Sequence, residues 1–237
     1  MIVIPAIDLR DGACVQLVGG SYAEERVRLA DPVAVARDWA DLGFTRLHVV
    51  DLDAATGAGN NDSIVEAIVR QSELSVQVGG GIRDDTRARA LLDMGAASVV
   101  VGTRAVEDPE WLTALATANP DRVIVAADVR ERRVVTHGWA RAHAREIIEF
   151  IGDIAGLPLA GILVTAVHRE GLMSGPDLAL MEAVTRAASV PVIASGGIAS
   201  MTDLESLGNR RVASAVIGMA LYTGALDARQ VVQEFGR

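Results

Sequence analysis

With 237 residues, half of them apolar, the chain can bury one large core, and its size fits one α/β barrel better than two small domains. A formal charge of -9 with no basic tract or aromatic platform excludes a general nucleic-acid binder, although a phosphorylated small molecule needs only a local site. The single cysteine, Cys14, excludes an intramolecular disulfide and a thiolate zinc site, and the absence of lysine excludes Schiff-base chemistry.

The apolar runs are far short of the roughly 18 residues needed to cross a bilayer, and Met1-Ile2-Val3-Ile4-Pro5 lacks the pattern of a signal peptide, so a cytoplasmic protein without a membrane partner is expected. From the N-terminus onward, short β-branched runs alternate eight times with amphipathic stretches. The runs predict strands at 2–8, 46–51, 75–78, 98–101, 122–128, 161–165, 190–194 and 213–217. Helix starts are marked by Asp31-Pro32, Asn61-Asp62, Asp84-Asp85, Asp108-Pro109, Pro176-Asp177 and Thr202-Asp203, each with a capping acceptor or a first-turn proline. Eight βα units predict a single (β/α)8 TIM barrel over 1–237, with half-barrels of about 1–118 and 119–237. The alternative, a doubly wound open sheet, lacks its usual Gly-x-Gly-x-x-Gly after the first strand.

The halves repeat. Gly-Gly-Ile at 80–82 recurs at 196–198, and Gly102-Thr103 recurs as Gly218-Met219, at one offset of 116 residues. Each copy reads as strand, Gly-rich loop, helix, strand, loop. Backbone N–H groups in such loops cradle phosphate because glycine lets the chain approach closely. The cradles are placed at Gly81 and Thr103, and at Gly197 and Met219. The bland reading of each Gly cluster is a tight βα turn; two copies in register favour anion binding.

In a barrel of this kind the active site lies at the C-terminal strand ends. Asp8 ends the first strand and Asp128 the fifth, so the two carboxylates are related by the same half-barrel repeat as the cradles. An acid at the end of a buried strand is costly unless it is used or paired. For Asp128 the bland alternative is a salt bridge to Arg130. Paired acids between phosphate cradles suit proton transfer on a phosphosugar without metal or cofactor. Glu170, in the loop after the sixth strand, is within reach of the mouth, although a charged loop residue is ordinarily only solvated. His48, His137, His143 and His168 show no metal-ligand spacing, and no metal site is expected.

Pro5-Ala6-Ile7-Asp8, Val50-Asp51-Leu52-Asp53-Ala54-Ala55, Gly57-Ala58-Gly59-Asn60-Asn61, Gly79-Gly80-Gly81-Ile82-Arg83-Asp84, Asp108-Pro109-Glu110-Trp111, Ala127-Asp128-Val129-Arg130, Gly138-Trp139, Ser195-Gly196-Gly197-Ile198 and Gly218-Met219-Ala220-Leu221 together resemble, end to end, the ProFAR isomerases of histidine biosynthesis. The resemblance is strongest to the actinobacterial phosphoribosyl isomerase A group, which also acts on the tryptophan intermediate. It implies a cofactor-independent Amadori rearrangement of an aminoaldose to an aminoketose: ProFAR to PRFAR, phosphoribosylanthranilate to CdRP, or both. It further implies Asp8 as the base that takes the C2 proton and the acid of the loop after strand six, here Glu170, as the proton donor to the ring oxygen. Asp128 and Thr165 assist, and Trp139 stacks on the aglycone. Substrate contacts are implied at Gly81, Arg83, Gly102, Thr103, Gly138, Trp139, Gly175, Ser195, Gly196, Gly197, Gly218 and Met219. The expected assembly is a monomer whose partner is a phosphorylated small molecule.

The chain departs from that pattern in two ways. Ala166 and Glu170 replace two aspartates, which lengthens the acid by one carbon. Gln16, Ala58 and His137 stand where relatives commonly carry arginine, with Arg26, Arg28, Arg104 or Arg141 as substitutes. These losses favour the smaller, singly phosphorylated tryptophan substrate, which defines a specialised phosphoribosylanthranilate isomerase as the alternative. The cyclase that follows in histidine biosynthesis is a rival from a sister barrel, but its early Lys and Cys are missing. A non-catalytic phosphate-binding barrel is the rival from outside enzymes.

Overall fold

The computed structural model describes residues 1–139 and 141–236, and for 141–144 the backbone alone. Its strands are β1 (Ile2–Arg10), β2 (Ala13–Val18), β3 (Ser21–Leu29), β4 (Arg46–Asp51), β5 (Ser75–Gly79), β6 (Ser98–Val101), β7 (Val123–Arg130), β8 (Arg133–Thr136), β9 (Arg141–Glu146), β10 (Gly161–Ala166), β11 (Val192–Ser195) and β12 (Ser214–Ile217). Eight are parallel and in the order β1, β4, β5, β6, β7, β10, β11, β12. The pairing of β12 with β1 closes the ring, so the fold is a (β/α)8 barrel. The helices that bear on the site are α1 (Pro32–Leu42), α2 (Leu52–Thr56), α3 (Asp62–Gln71), α4 (Asp85–Met94), α5 (Thr103–Glu107), α6 (Pro109–Ala118), α7 (Ile147–Asp153), α8 (Leu178–Ala187), α9 (Met201–Asn209) and α10 (Met219–Tyr222).

Strand alternation sorts the core into two shells. Leu47, Val49, Val99, Val101, Val125 and Val164 face outward and pack beneath the helices, with Val35, Ala36 and Trp39 of α1 among their cover. Ile4, Ala6, Val100, Ile124, Leu163, Ile193 and Val216 fill the barrel itself. Each large apolar side chain buried this way contributes about 1.5–3 kcal/mol. The inner face also holds a polar pair, with Gln77 Nε2 2.8 Å from His48 Nδ1, and burial pushes the imidazole down to about 4, leaving it neutral. The same alternation that puts Ile4 and Ala6 inside puts Asp8 at the mouth.

Asp31, Asp84, Asp108 and Asp177 cap their helices as predicted, accepting from Ala34, Arg87, Trp111 and Leu180. Two starts differ. The cap of α9 is Ser200, in a capping box with Asp203, because Ser200 is extended and its hydroxyl reaches the Asp203 amide. Asn61 does not cap α3, because its side chain is committed to Asp51 and Asp53.

The second difference from the predicted elements is larger. In each half the first barrel strand runs on into an antiparallel excursion, β2–β3 after β1 and β8–β9 after β7. Asp8 lies opposite Val15 and Asp128 opposite Val135, and the turns close with Arg10 opposite Ala13 and Arg130 opposite Arg133. The repeat therefore extends to the hairpins over the mouth. It also extends to the cradles: Gly102 has φ -108, ψ -105 and Gly218 has φ -105, ψ -96, the same backbone conformation in both halves.

Candidate functional site

Asp8, Asp128 and Glu170 converge at the C-terminal mouth. Asp8 comes from β1 and Asp128 from β7, while Glu170 comes from the turn after β10. That turn is fixed by the Gly19 amide donating to the Glu170 carbonyl at 3.2 Å, and by Gly171, where an added Cβ would sit 2.8 Å from the Leu17 carbonyl. The β2–β3 hairpin thus holds the turn that carries Glu170. Each of the three acids is half-buried by exposed area, yet recessed enough that neighbouring groups rather than bulk water set its proton affinity.

Burial, and then the charge of Glu170, push the Asp8 carboxyl up to about 7. Burial, and then the charge of Asp128, push Glu170 up to about 7, against hydrogen bonds from the Gly171 backbone and the Ser195 side chain. Asp128 is also raised by burial, and hydrogen bonds from Trp139 and Thr165 work the other way. Thr165 pairs with Asp128 on one side and with Ser195 on the other, so three neighbouring strand ends present Asp128, Thr165 and Ser195 in a row. Glu170 Oε2 is buried without a hydrogen-bond partner. A protonated carboxyl there has a hydrogen to give and nothing in the protein to take it.

The two cradles flank these acids. In the first, Gly80 and Gly81 pass so close to the β4–α2 connection that added Cβ atoms would lie 2.2 Å from the Asp51 carbonyl and 2.5 Å from that of Ala54. Arg83 donates to the Ala55 carbonyl at 2.8 Å, which ties it to the same connection. Thr103 Oγ1 accepts from the His137 amide at 3.1 Å. In the second, Cβ atoms added at Gly196 and Gly197 would lie 2.8 and 2.5 Å from the Ala166 and Gly175 carbonyls, and the Gly175 amide donates to the Gly197 carbonyl at 2.9 Å. A small pocket runs from Glu170 and Ser195 to Gly197, Gly218 and Met219, joining the acid to the second cradle.

Trp139 sits between the halves. His137, Gly138 and Trp139 are all left-handed, at φ 56, 60 and 70, and this unusual run turns the indole toward Asp128 and over the β2–β3 turn. A Cβ on Gly20 would fall 2.2 Å from the ring, so only glycine admits Trp139 there.

All the candidate site residues thus lie at one end of the barrel. The proposed substitutes for the missing arginines do not gather in the same way: Arg28 pairs with Glu25 and Asp11, and Arg104 pairs with Asp108 at 2.7 Å and lies over Trp111. Arg26 is exposed, and the side chain of Arg141 lies outside the described residues. Asp128 is held by Trp139 and Thr165 rather than by Arg130, which is exposed. Sequence reading named Gln16 only as a place where relatives commonly carry arginine, not as a buried part of the mouth, and it missed the His48–Gln77 pair beneath. The signal for Gln16 was present in the repeat, since it stands as far from Asp8 as Thr136 does from Asp128. Among the described residues, no group of three or more His, Cys, Asp or Glu side chains is placed to hold a metal ion, and no helix is long and apolar enough to cross a membrane.

Comparison with known proteins places this arrangement. A family model described as histidine biosynthesis protein matches residues 2–227. A ProFAR isomerase of Gemmatimonas aurantiaca, named for an imidazole carboxamide bearing two phosphoribosyl groups, is 59% identical over 236 residues, covering 100% of both chains. Isomerases of the same name from Myxococcus xanthus and Gloeothece citriformis are 52% and 43% identical, covering 99% and 100% of this chain and 99% and 94% of their own. From the repeat of its glycine loops to the match across both halves of the barrel, the chain belongs to the histidine biosynthesis protein family.

Proposed function

We propose that the protein is a cofactor-independent phosphoribosyl isomerase whose principal substrate is ProFAR, converted to PRFAR by an Amadori rearrangement. The observation that carries the reading is the pair Asp8 and Glu170, both raised to about 7 and set between two glycine cradles. With both groups near 7, each is partly protonated near neutrality, so that Asp8 can serve as a carboxylate base while Glu170 carries a proton to donate.

Glu170 gives its proton to the ring oxygen as the C1–O bond breaks, and the exocyclic nitrogen lone pair forms the C1=N bond. Asp8 then takes the C2 proton; the C2–H electrons become C1=C2 and the nitrogen recovers its pair. Loss of the enol proton from the C2 oxygen and protonation of C1 complete the ketose. The reaction is an internal redox exchange between C1 and C2, with protons returned at the end and no external oxidant. The cradles hold the two phosphates, and the Trp139 ring covers the aglycone.

Isomerisation of phosphoribosylanthranilate, the activity that defines the bifunctional actinobacterial group, is a second reading. It is favoured by Gln16 and His137, which stand beside the two cradles where relatives commonly carry arginine. The names of the relatives at 59% and 52% identity carry the balance to the doubly phosphorylated substrate. Steady-state kinetics of the purified protein on both substrates separate the readings: a larger kcat/KM for ProFAR supports the first, and a larger value for phosphoribosylanthranilate replaces it with the second.

A further inference from the structure

Two strands share the edge of β1 that leads to Asp8. β12 pairs with it from Ile2 through Pro5, and β2 from Asp8 through Arg10. At the handover Ala6 and Ile7 have no strand partner on that edge, and a backbone carbonyl left unpaired beneath the mouth is costly. A side chain fills the gap: Tyr222, the last residue of α10, donates its hydroxyl to the Ala6 carbonyl at 2.8 Å. The same oxygen lies 3.3 Å from the sulfur of Cys14, which stands on β2 opposite Leu9. Burial pushes the Cys14 thiol up to about 11, and burial, followed by the charge of Cys14, holds the Tyr222 phenol well above its ordinary range, so both groups keep their protons at neutral pH. The single Tyr222 hydroxyl hydrogen goes to Ala6, which makes Cys14 the donor to Tyr222. Trp39 of α1 backs the phenol ring edge-on, with 5.5 Å between centroids.

One hydroxyl thus joins three segments: the strand that ends in the base, the hairpin that continues it, and the helix that begins at the second cradle. The half of the barrel that carries Asp128 has the same handover, with β6 pairing up to Val125 and β8 from Asp128. Its equivalent positions are apolar. At the 116-residue offset Tyr222 corresponds to Val106, and Val134 stands opposite Val129 as Cys14 stands opposite Leu9. Both valines are buried, and neither side chain can hydrogen-bond. Of the two acid-bearing strands, the polar clasp belongs to the one that ends in Asp8.

We propose that Tyr222 is a positioning residue for the base: its hydroxyl, bonded to Ala6 and Cys14, fixes the end of β1 so that the Asp8 carboxylate meets the C2 proton. The role in turnover rests on the isomerase reading above, while the hold on Asp8 stands apart from it. The titratable groups that act on Asp8 or feel its charge are Glu170 from the turn after β10, Cys14 from β2, Tyr22 from β3 and Tyr222 itself. Cys14 and the two phenols are neutral near pH 7, so loosening the clasp acts on Asp8 by admitting water rather than by changing a neighbouring charge.

The test is Tyr222→Phe, which keeps the ring against Trp39 and removes the hydroxyl. For the ProFAR reaction kcat should fall about 10-fold or more, since a misplacement near 1 Å costs about 100-fold, with KM kept within about 2-fold. Because water then reaches Asp8, the rising limb of the pH profile should move to lower pH, as should the titration of the Asp8 carboxyl carbon followed by NMR. A parent kcat would overturn the proposal. So would a loss of kcat with the limb and the Asp8 titration both unmoved, the mark of a purely structural residue. If Tyr222→Phe does not fold, Cys14→Ala and Cys14→Ser carry the test. The serine hydroxyl replaces the donor to Tyr222, so Cys14→Ser should recover most of the kcat and the Asp8 titration that Cys14→Ala loses, and equal values in the two variants would overturn the clasp. An Asp8 titration that moves as predicted in a protein that turns over neither isomerase substrate would sink the isomerase reading and leave the hold of Tyr222 on Asp8 in place.

Discussion

Burial, and then the charge of Glu170 across the mouth of the barrel, raise the proton affinity of Asp8, and both carboxyls come to about 7 although one starts from the N-terminal strand and the other from a loop of the opposite half. Two acids that cannot both ionise comfortably at neutral pH are already divided into a donor and an acceptor. Catalysis by such a pair has a pH signature and a stability cost, and each is measurable.

The pH profile of kcat/KM should be bell-shaped with its maximum near pH 7. The rising limb reports loss of the first proton of the pair and the falling limb loss of the second. Glu170→Gln should lower kcat far more than it raises KM and remove the falling limb. Glu170→Asp retains a carboxyl one carbon shorter and should keep measurable turnover. A glutamine variant with the parent profile would shift the acid role to Asp128.

Stability should move in the opposite sense. Between the ordinary aspartate value of 3.8 and about 7 the folded chain binds more protons at Asp8 than the unfolded chain does, so stability falls as pH rises through that window. Asp8→Asn removes the penalty. At pH 8 the variant should be more stable than the parent by at least about 1 kcal/mol, because each tenfold change in proton affinity is worth about 1.4 kcal/mol and residual solvent contact discounts the total. Below about pH 4 the advantage should vanish. Denaturant unfolding of parent and variant at the two pH values measures it, and a variant no more stable than the parent at pH 8 would show that Asp8 is not strained by its surroundings.

Asp51 should be a structural anchor of the first cradle. Fully buried, it accepts from the Ala54 and Asn61 amides and from Asn61 Nδ2 at 3.1, 2.7 and 2.8 Å. Asn61 and Asp53 in turn hold the Gly12 and Asp11 amides of the turn after Asp8, at 3.1 and 2.8 Å. Asp51→Ala leaves several buried donors unpaired, for a loss of about 3–5 kcal/mol. For a chain of this length that lowers Tm by roughly 10 °C. A shift under about 2 °C in a thermal scan would contradict the role.

Trp139→Phe keeps the ring over Gly20 and removes the indole N–H from Asp128. Because that hydrogen bond favours the charged carboxylate, its loss should raise the Asp128 pKa further, and kcat/KM should drop by about 10- to 150-fold, the worth of one hydrogen bond to a charged group. Parent-like kinetics in the phenylalanine variant would reduce Trp139 to a packing role.

Much of this was legible in the residues. Short β-branched runs placed all eight barrel strands to within a few positions, because burial on both faces leaves little choice of residue, and the repeated glycines marked both cradles. The hairpins were not legible. Residues 13–29 alternate too weakly, with Gly19, Gly20 and four charged residues, for a strand pattern to stand out from a loop. Their order comes from pairing to the edge that β1 and β7 leave open beyond the barrel, a tertiary cause invisible in a window of sequence. For the same reason the contact of Tyr222 with Ala6, 216 positions apart, had no local signal. Glu170 was readable as a candidate, but its coupling to Asp8 depends on a turn held by Gly19 and Leu17.

The most direct test of the account is steady-state turnover of ProFAR by the parent protein and by Asp8→Asn, with substrate binding measured alongside. The account predicts efficient conversion to PRFAR by the parent. It also predicts loss of more than nine-tenths of kcat in the variant, with binding kept within a few-fold, because the base is removed and neither cradle is touched. Turnover by Asp8→Asn above about a tenth of the parent rate would contradict the assignment of the base, and an inactive parent that still binds the substrate would contradict the isomerase itself.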